Sequence, residues 1–314
     1  MMARLIALRV ATVLPVLLVV ATIVFLLLRL SPGDPAQVLA GENATPEALA
    51  NIRADLGLDR SLPVQYLTWL SEMAQGNFGT SVLSRVPVLE LIRDRLEPTL
   101  VLALSAIFIT VLLAVPLGAI AAWKHNSWID RAVMALSVIG FSVPAFVIGY
   151  VLILLLAVKT DIFPVQGYVS PFQDPLAAAR HLALPSITLA LVFMALIARV
   201  TRSSVLEVLG EDFVRTAKAK GNDGARVLWR HALPNAAVPI ITVIGLGLAL
   251  LISGVVVTES VFNIPGVGRL TIDAILARDY PVVQGLMLFF ASIFIGVNLL
   301  IDIAYVIVDP RIRY

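Results

Sequence analysis

The stretch EDFVRTAKAKGNDGARVLWRHALPN, residues 211–235, is a polar, strongly basic insert set between two long apolar runs. Its first part reads as a short helix outside lipid. DFVRTAKAK contains good helix formers, starts beside Glu211 on Asp212 and ends on Lys218 and Lys220, an order of charge that suits the helix macrodipole at both ends. Gly221 is placed to stop that helix. Phe213 and Ala217, four residues apart, are expected to share a face, and Ala217 and Ala219 are small enough to admit a neighbouring backbone. The chain then returns toward the apolar phase through RVLWRHALPN, where Pro234 is tolerated in a first helical turn. On these residues alone the insert is either a docking surface for another protein or a solvated basic loop held at anionic lipid headgroups.

The flanking sequence requires a membrane. Hydrophobic residues make up 59% of the 314 and charged residues 14%, with a mean hydropathy of +0.95, too little polar surface for a soluble globular fold. About 20 apolar residues are needed to cross roughly 30 Å of hydrocarbon as a helix. About six such runs are present, at residues 10–28, 99–123, 132–158, 182–198, 236–258 and 282–308. They are too long and too continuously apolar for barrel strands. The expectation is an all-α membrane protein with about six transmembrane helices. Residues 1–30 hold the N-terminal tip and first helix, 31–98 an outer loop, and 99–314 a core of five helices with the polar insert at about 207–235. The first run exceeds a secretory h-region and is kept as a helix.

Orientation follows from basic residues near short loops. With the N-terminus inside, thirteen Lys and Arg fall on inner segments, against Lys159, Arg180, Arg269 and Arg278 on short outer ones, which puts both termini in the cytoplasm. The pI near 9.0 reflects this sidedness and not nucleic-acid binding. Without cysteine there is no disulfide, so burial must hold the outer loop. SPGDP at 31–35 stops the first helix. Beyond it, two segments have helical spacing: PEALANIRADLG aligns Leu49, Ile52 and Leu56, and VQYLTWLSEMAQ aligns Tyr66, Trp69, Leu70 and Met73. They form either a packing cap or a docking surface.

Catalytic constellations are absent. His125, His181 and His231 lie far apart in sequence at expected membrane boundaries, and no zinc-protease, nucleophile-elbow or phosphate-loop motif occurs. The central parts of the first five spans carry no Asp, Glu, Lys, Arg or His, which disfavours a proton-coupled carrier or voltage sensor. In the last span Asn298, Asp302 and Tyr305 share a face, as a helix contact or as part of a path. In the fifth span Gly245, Gly247, Ser253 and Gly254 allow either close packing or a narrow lumen. The segment after it, with Glu259, Phe262, Asn263, Ile264, Pro265, Gly266 and Gly268, is too broken to span and reads as an external mouth or a structural turn.

The insert carries a family resemblance. Arg215-Thr216-Ala217, three residues, Gly221, nine residues, then His231-Ala232-Leu233-Pro234 resembles the EAA loop of binding-protein-dependent ABC importer permeases, in the form of the dipeptide, oligopeptide and nickel branch. Arg215 stands where the general motif begins with Glu. Further similar pieces are SPGDP at 31–35, GNFGTS at 76–81, DRLEPTLVLAL at 94–104, SVPAFVIG at 142–149, HLALPSITLA at 181–190, TESVFNIPGVGRLTIDAILARDYPVVQG at 258–285 and DPRIRY at 309–314. The resemblance implies a type I ABC importer permease fold in a bacterial or archaeal cytoplasmic membrane, with no cofactor or metal in this chain and no catalytic residue. It implies a second homologous permease, two ABC ATPase subunits that bind ATP and Mg, and an extracytoplasmic substrate-binding protein. Substrates would be di- or oligopeptides, or else nickel chelates, glutathione or another small solute. The implied ATPase contact is Asp212, Phe213, Arg215, Thr216, Ala217, Lys218, Ala219, Lys220 and Gly221, with Leu233 and Pro234. Gly245, Ser253, Gly254, Glu259, Phe262, Asn263 and Pro265 are the candidates for the path or its outer mouth.

Overall fold

The computed structural model describes residues 14–26, 36–37, 45–55 and 57–308. SPGDP, Leu56, the terminal arginines and the DPRIRY tail lie outside the described residues, as do the side chains of Ile52, Ser253 and Tyr305. Among the described residues the regular structure is helical, with one isolated antiparallel bridge between Thr80 and Pro87. Helix α1 is Leu14–Leu26, α2 Pro46–Asp55, α3 Leu62–Ala74, α4 Val88–Trp123, α5 Trp128–Ser142, α6 Ala145–Val158 and α7 Pro175–Leu209. Helix α8 is Asp212–Ala219, α9 Gly224–Asn235, α10 Ala237–Val261, α11 Val267–Leu276 and α12 Tyr280–Val308. Among the described residues three helices are long and apolar enough to cross a membrane, or up to five if each of two bent pairs counts as one span.

The chain forms two compact units, residues 1–96 with 270–295 and residues 97–269 with 296–314. In the first, Phe25 of α1 is 1% exposed and meets the rings of Tyr66 and Trp69 on α3, while Thr22 and Tyr66 share a 2.7 Å hydrogen bond. Tyr66, Trp69, Leu70 and Met73 are all half-buried, the shared face their spacing requires. A second tie is the buried Asp279. Its carboxylate accepts from Ser81 Oγ at 2.5 Å and from the Val82 amide at 3.2 Å, which stitches the GNFGTS turn to the start of α12.

The second unit is organised around α7, whose apolar window is 56% buried, against 11% for α12. Leu184, Leu189, Ile197 and Val205 along α7 are essentially inaccessible, and α5, α6 and α10 pack on it. Small residues set the closest approaches. A Cβ on Gly118 of α4 would lie 2.5 Å from the Ala198 carbonyl oxygen, and one on Gly140 of α5 would lie 2.9 Å from that of Leu191.

The apolar run at 132–158 is bent in the structure, α5 and α6 meeting at an angle of 102°. Pro144 has no N–H for the helix ladder, and its ring drives Val143 into the extended region, at φ −91° and ψ 125°. The helix therefore ends at Ser142 and restarts at Ala145.

Because the α4–α7 crossing is backbone on backbone, Gly118→Val should destabilise the protein by about 1–3 kcal/mol. Gly296→Ala, where an added Cβ meets nothing within 4 Å, should leave the melting point in detergent unchanged or slightly raised. Equal melting points for the two variants would contradict the crossing.

Candidate functional site

Helix α8 lies two residues beyond the end of α7, after Gly210 and an extended Glu211 at φ −71°, ψ 151°. Its inner face is Val214 and Ala217, 0% and 7% exposed, packed on α9, where Val227, Leu228 and Ala232 are also buried. That apolar root continues into Ala119 and Ala122 of α4, Val205 of α7 and Ile240 of α10, with Leu233 partly buried against it. Four helix ends thus converge under α8.

The outer face carries Asp212, Phe213, Arg215, Thr216, Lys218, Ala219 and Lys220, all exposed. Phe213 keeps 42% of its surface accessible although nothing polar requires it there. The expectation that Phe213 and Ala217 share a contact face is corrected: Ala217 turns inward with Val214, and Phe213, Thr216 and Lys220 follow one another along the exposed flank. The Asp212–Arg215 pair at 3.2 Å is solvent-exposed at both ends and contributes little to stability.

The turn between α8 and α9 is fastened on both sides. Gly221 has φ +82° and an added Cβ would meet nothing within 4 Å, so its requirement is conformational and not steric. Asn222 returns its side-chain N–H to the Ala217 carbonyl at 2.9 Å, and Asp223 caps α9 by accepting the Arg226 amide at 2.7 Å. Trp123 at the end of α4 forms a bracket absent from the sequence reading. The Lys218 ammonium sits 5.5 Å from its ring centroid, and Gly224 lies so close that a Cβ would be 2.4 Å from the indole. Only contact geometry reveals it, since Trp123 is about a hundred residues upstream.

Within α9, residues Val227–Ala232 wind as a π-helix ahead of Pro234, which is exposed in the short turn Leu233–Asn235. The proline offers no N–H to residue 230 and crowds its carbonyl, so the local turn widens. The chain then bends by 65° into α10.

At the far end of α10, Glu259 is 0% exposed. Its carboxylate accepts the Thr99 hydroxyl at 2.6 Å and the Arg269 amide at 2.9 Å, while Thr99 Oγ1 accepts the Val267 amide at 2.8 Å. Thr99 and Glu259 therefore cap α11 from two other helices. Gly266 and Gly268 press against that carboxylate; a Cβ on Gly266 would overlap Glu259 Oε1. Phe262 is buried, its carbonyl accepting the Gly167 amide at 2.9 Å. Of the residues read as an outer mouth, Asn263 and Pro265 are the exposed ones, and Asn263 accepts from the Arg269 guanidinium. Gly245 abuts Ile301 of α12, and Gly254 touches Leu189 and Phe193 of α7, so both sit at helix contacts within this chain. In the loop between α6 and α7, Tyr168 donates to Glu97 at 2.9 Å; burial and that carboxylate hold its phenol above the usual range.

This arrangement has known counterparts. Residues 114–314 match the family model described as the binding-protein-dependent transport system inner membrane component, and residues 2–103 match the model of its N-terminal membrane component. The chain belongs to this ABC importer permease family. It is 50% identical to a probable peptide ABC transporter permease protein of Sinorhizobium fredii over 98% of both chains. It is 42% identical to the glutathione transport system permease protein of Salmonella choleraesuis over 98% of this chain and 97% of that one. Among solved structures, an inward-facing methionine ABC transporter, MetNI, matches 70% of this permease and 97% of its own chain, with a TM-score of 0.59 at 17% identity. That likeness establishes the fold. The protein is thus a multi-pass membrane permease of the importer type, not an enzyme.

The two glycines of the insert separate by mechanism. Gly224→Ala should displace Trp123 and lower the melting point, by about 1–3 kcal/mol of stability. Gly221→Ala, set by backbone conformation at an exposed turn, should cost about 1–2 kcal/mol and leave Trp123 fluorescence unmoved. A shifted tryptophan signal in Gly221→Ala and not in Gly224→Ala would refute the bracket.

Proposed function

We propose that this permease forms half of the translocation pathway of an ATP-driven peptide importer, and that α8 is its contact with a cytoplasmic ATPase subunit. The observation that carries the reading is the build of α8: a short helix with a buried root, a fastened C-terminal end and a half-exposed phenylalanine aimed away from its own fold. A solvated loop has no need of such a root, whereas a lever must not yield when pushed. On this reading the chain crosses the bacterial or archaeal cytoplasmic membrane about six times with both termini inside, beside a second homologous permease. ATP and Mg are bound by two separate ATPase subunits, and an extracytoplasmic binding protein delivers substrate. The nucleotide shifts the permease between states only by favouring one of them, and the shift reaches this chain through contact. The relatives named for peptides and for glutathione, itself a tripeptide, support small peptides as the solute class.

The path is placed at the interface with the second permease, with the exposed Asn263 and Pro265 at its outer mouth on a segment that Glu259 and Thr99 hold rigid. Phe213→Asp should reduce capture of the ATPase subunits in detergent pull-downs by about tenfold or more, as expected for a charge placed in an apolar anchor. Gly221→Val should insert normally yet uncouple peptide uptake from ATP hydrolysis. Solute flux through the permease alone in vesicles, with no ATPase present, would overturn the proposal.

A further inference from the structure

Helix α5 is held to α7 in an unusual way. Near its C-terminal end, Gly140 presses on the Leu191 carbonyl, at a distance where a Cβ could not fit. Going back along α5, an apolar surface groove of about 330 Å³ opens over this contact, lined by Leu136, Ser137 and Gly140 of α5, Leu191 and Ala195 of α7 and Ile148 of α6. One turn further toward the α8 end stands an ion pair whose carboxylate is buried and whose guanidinium is half-buried. Asp130, 3% exposed, accepts from Arg202 of α7 through Nε at 2.5 Å and through Nη2 at 2.8 Å.

The pair is built from both sides. Asp130 Oδ2 also accepts the amide of Asn126, a residue held at φ +63°, and the Ser127 hydroxyl accepts the Asp130 amide as the N-cap of α5. His125, in the turn after α4, places Nδ1 3.1 Å from Arg202 Nη2. Three elements meet on one guanidinium: the turn after α4, the first turn of α5 and the last turns of α7, which lead directly to α8.

We infer that the Asp130–Arg202 fork is the positioning latch that makes α5 follow α7 when α8 is pushed. This deepens the proposed function and rests on it. A buried ion pair is weak as a source of stability, since apolar side chains of similar volume serve as well, but a planar two-point fork fixes distance and angle together. Here it does so beside the groove, adding a fixed angle to the packing of α5 on α7. Helix α5 leads into the bend at Pro144, so the latch delivers motion of α7 to the broken pair α5–α6. Arg202 and Asp130 are positioning residues and touch no solute.

The chain has no cysteine, so paired labels report one distance each. Spin labels at Leu136→Cys on α5 and Ser203→Cys on α7, both exposed positions, are measured in the complete importer in lipid, with and without ATP and vanadate. The otherwise unaltered chain should give one narrow distance that does not change with nucleotide, because α5 and α7 move as one body. Arg202→Lys, which keeps the charge and loses the fork, and Asp130→Asn should broaden that distance or shift it by about 1–2 Å on nucleotide binding. The exchange Asp130→Arg with Arg202→Asp should narrow it again. If a single variant fails to assemble, Asp130→Leu with Arg202→Met keeps the volume apolar and should give the broad distribution. ATPase capture should be unchanged in these variants and lost in Phe213→Asp, whose α5–α7 distance stays narrow; a failed docking reading thus appears in Phe213→Asp, and a failed latch in Arg202→Lys. A narrow, nucleotide-independent distance in Arg202→Lys, Asp130→Asn and the apolar pair would overturn the inference.

Discussion

The continuity of α7 is the constraint on which the rest of this permease depends. Asp174 caps it by accepting the Leu176 and Ala177 amides, and it continues for 35 residues to Gly210, a rod of about 50 Å. Pro185 lies inside it without ending it. Helix α8 follows after two residues, so any force on α8 is applied at the end of a rod whose apolar middle is more than half buried. Flexible connections would absorb that force; here Gly210 and Glu211 are flanked on both sides by buried residues, Val205 before and Val214 after. The neighbouring helices take their positions from α7 by close backbone contact at Gly118 and Gly140 and by charge at Arg202.

Against this rod stand two helices that break. Pro144 divides α5 from α6, and Pro234 lies in the last turn of α9, just before the bend into α10. Backbone groups freed inside an apolar phase are costly unless protein or water covers them, so breaks of this kind belong where a membrane protein faces its own interior or a partner. The same reasoning separates the three long helices: a rod transmits, and a bend redirects. Gly149, on the far side of the Pro144 break, packs within ordinary reach of Phe262, which joins α6 to the end of α10.

How much of this was legible depends on the range of each interaction. Local chemistry could be read directly. The charge order of α8, the stop at Gly221 with its positive φ, and the shared face of Tyr66 and Trp69 all follow from residues within a few positions of one another. The bend at Pro144 was local too, yet hidden by the surrounding apolar run, because hydropathy reports length and is silent on direction. What could not be read was every contact closed by the fold. Trp123 under Gly224, Thr99 on Glu259 and Arg202 on Asp130 join residues from about 70 to 160 positions apart. The inward turn of Ala217 belongs with these, since periodicity aligns it with Phe213 and only the position of α9 decides which of the two is covered.

Glu259 shows why a charged residue in an apolar chain need not mark a path. Taken by itself beside Pro and Gly, a carboxylate near a span end suggests contact with solute. Its surroundings argue otherwise. Both oxygens accept hydrogen bonds, one from a hydroxyl and one from the third amide of α11, where a negative charge is favoured by the helix dipole. The glycines at 266 and 268 leave no room for anything larger against it. A group so placed has its desolvation offset by donors already fixed in the fold, and opening it to a passing peptide would expose those donors as well. The outer segment is therefore fixed to α4 and α10 by these bonds, and the carboxylate serves the start of α11.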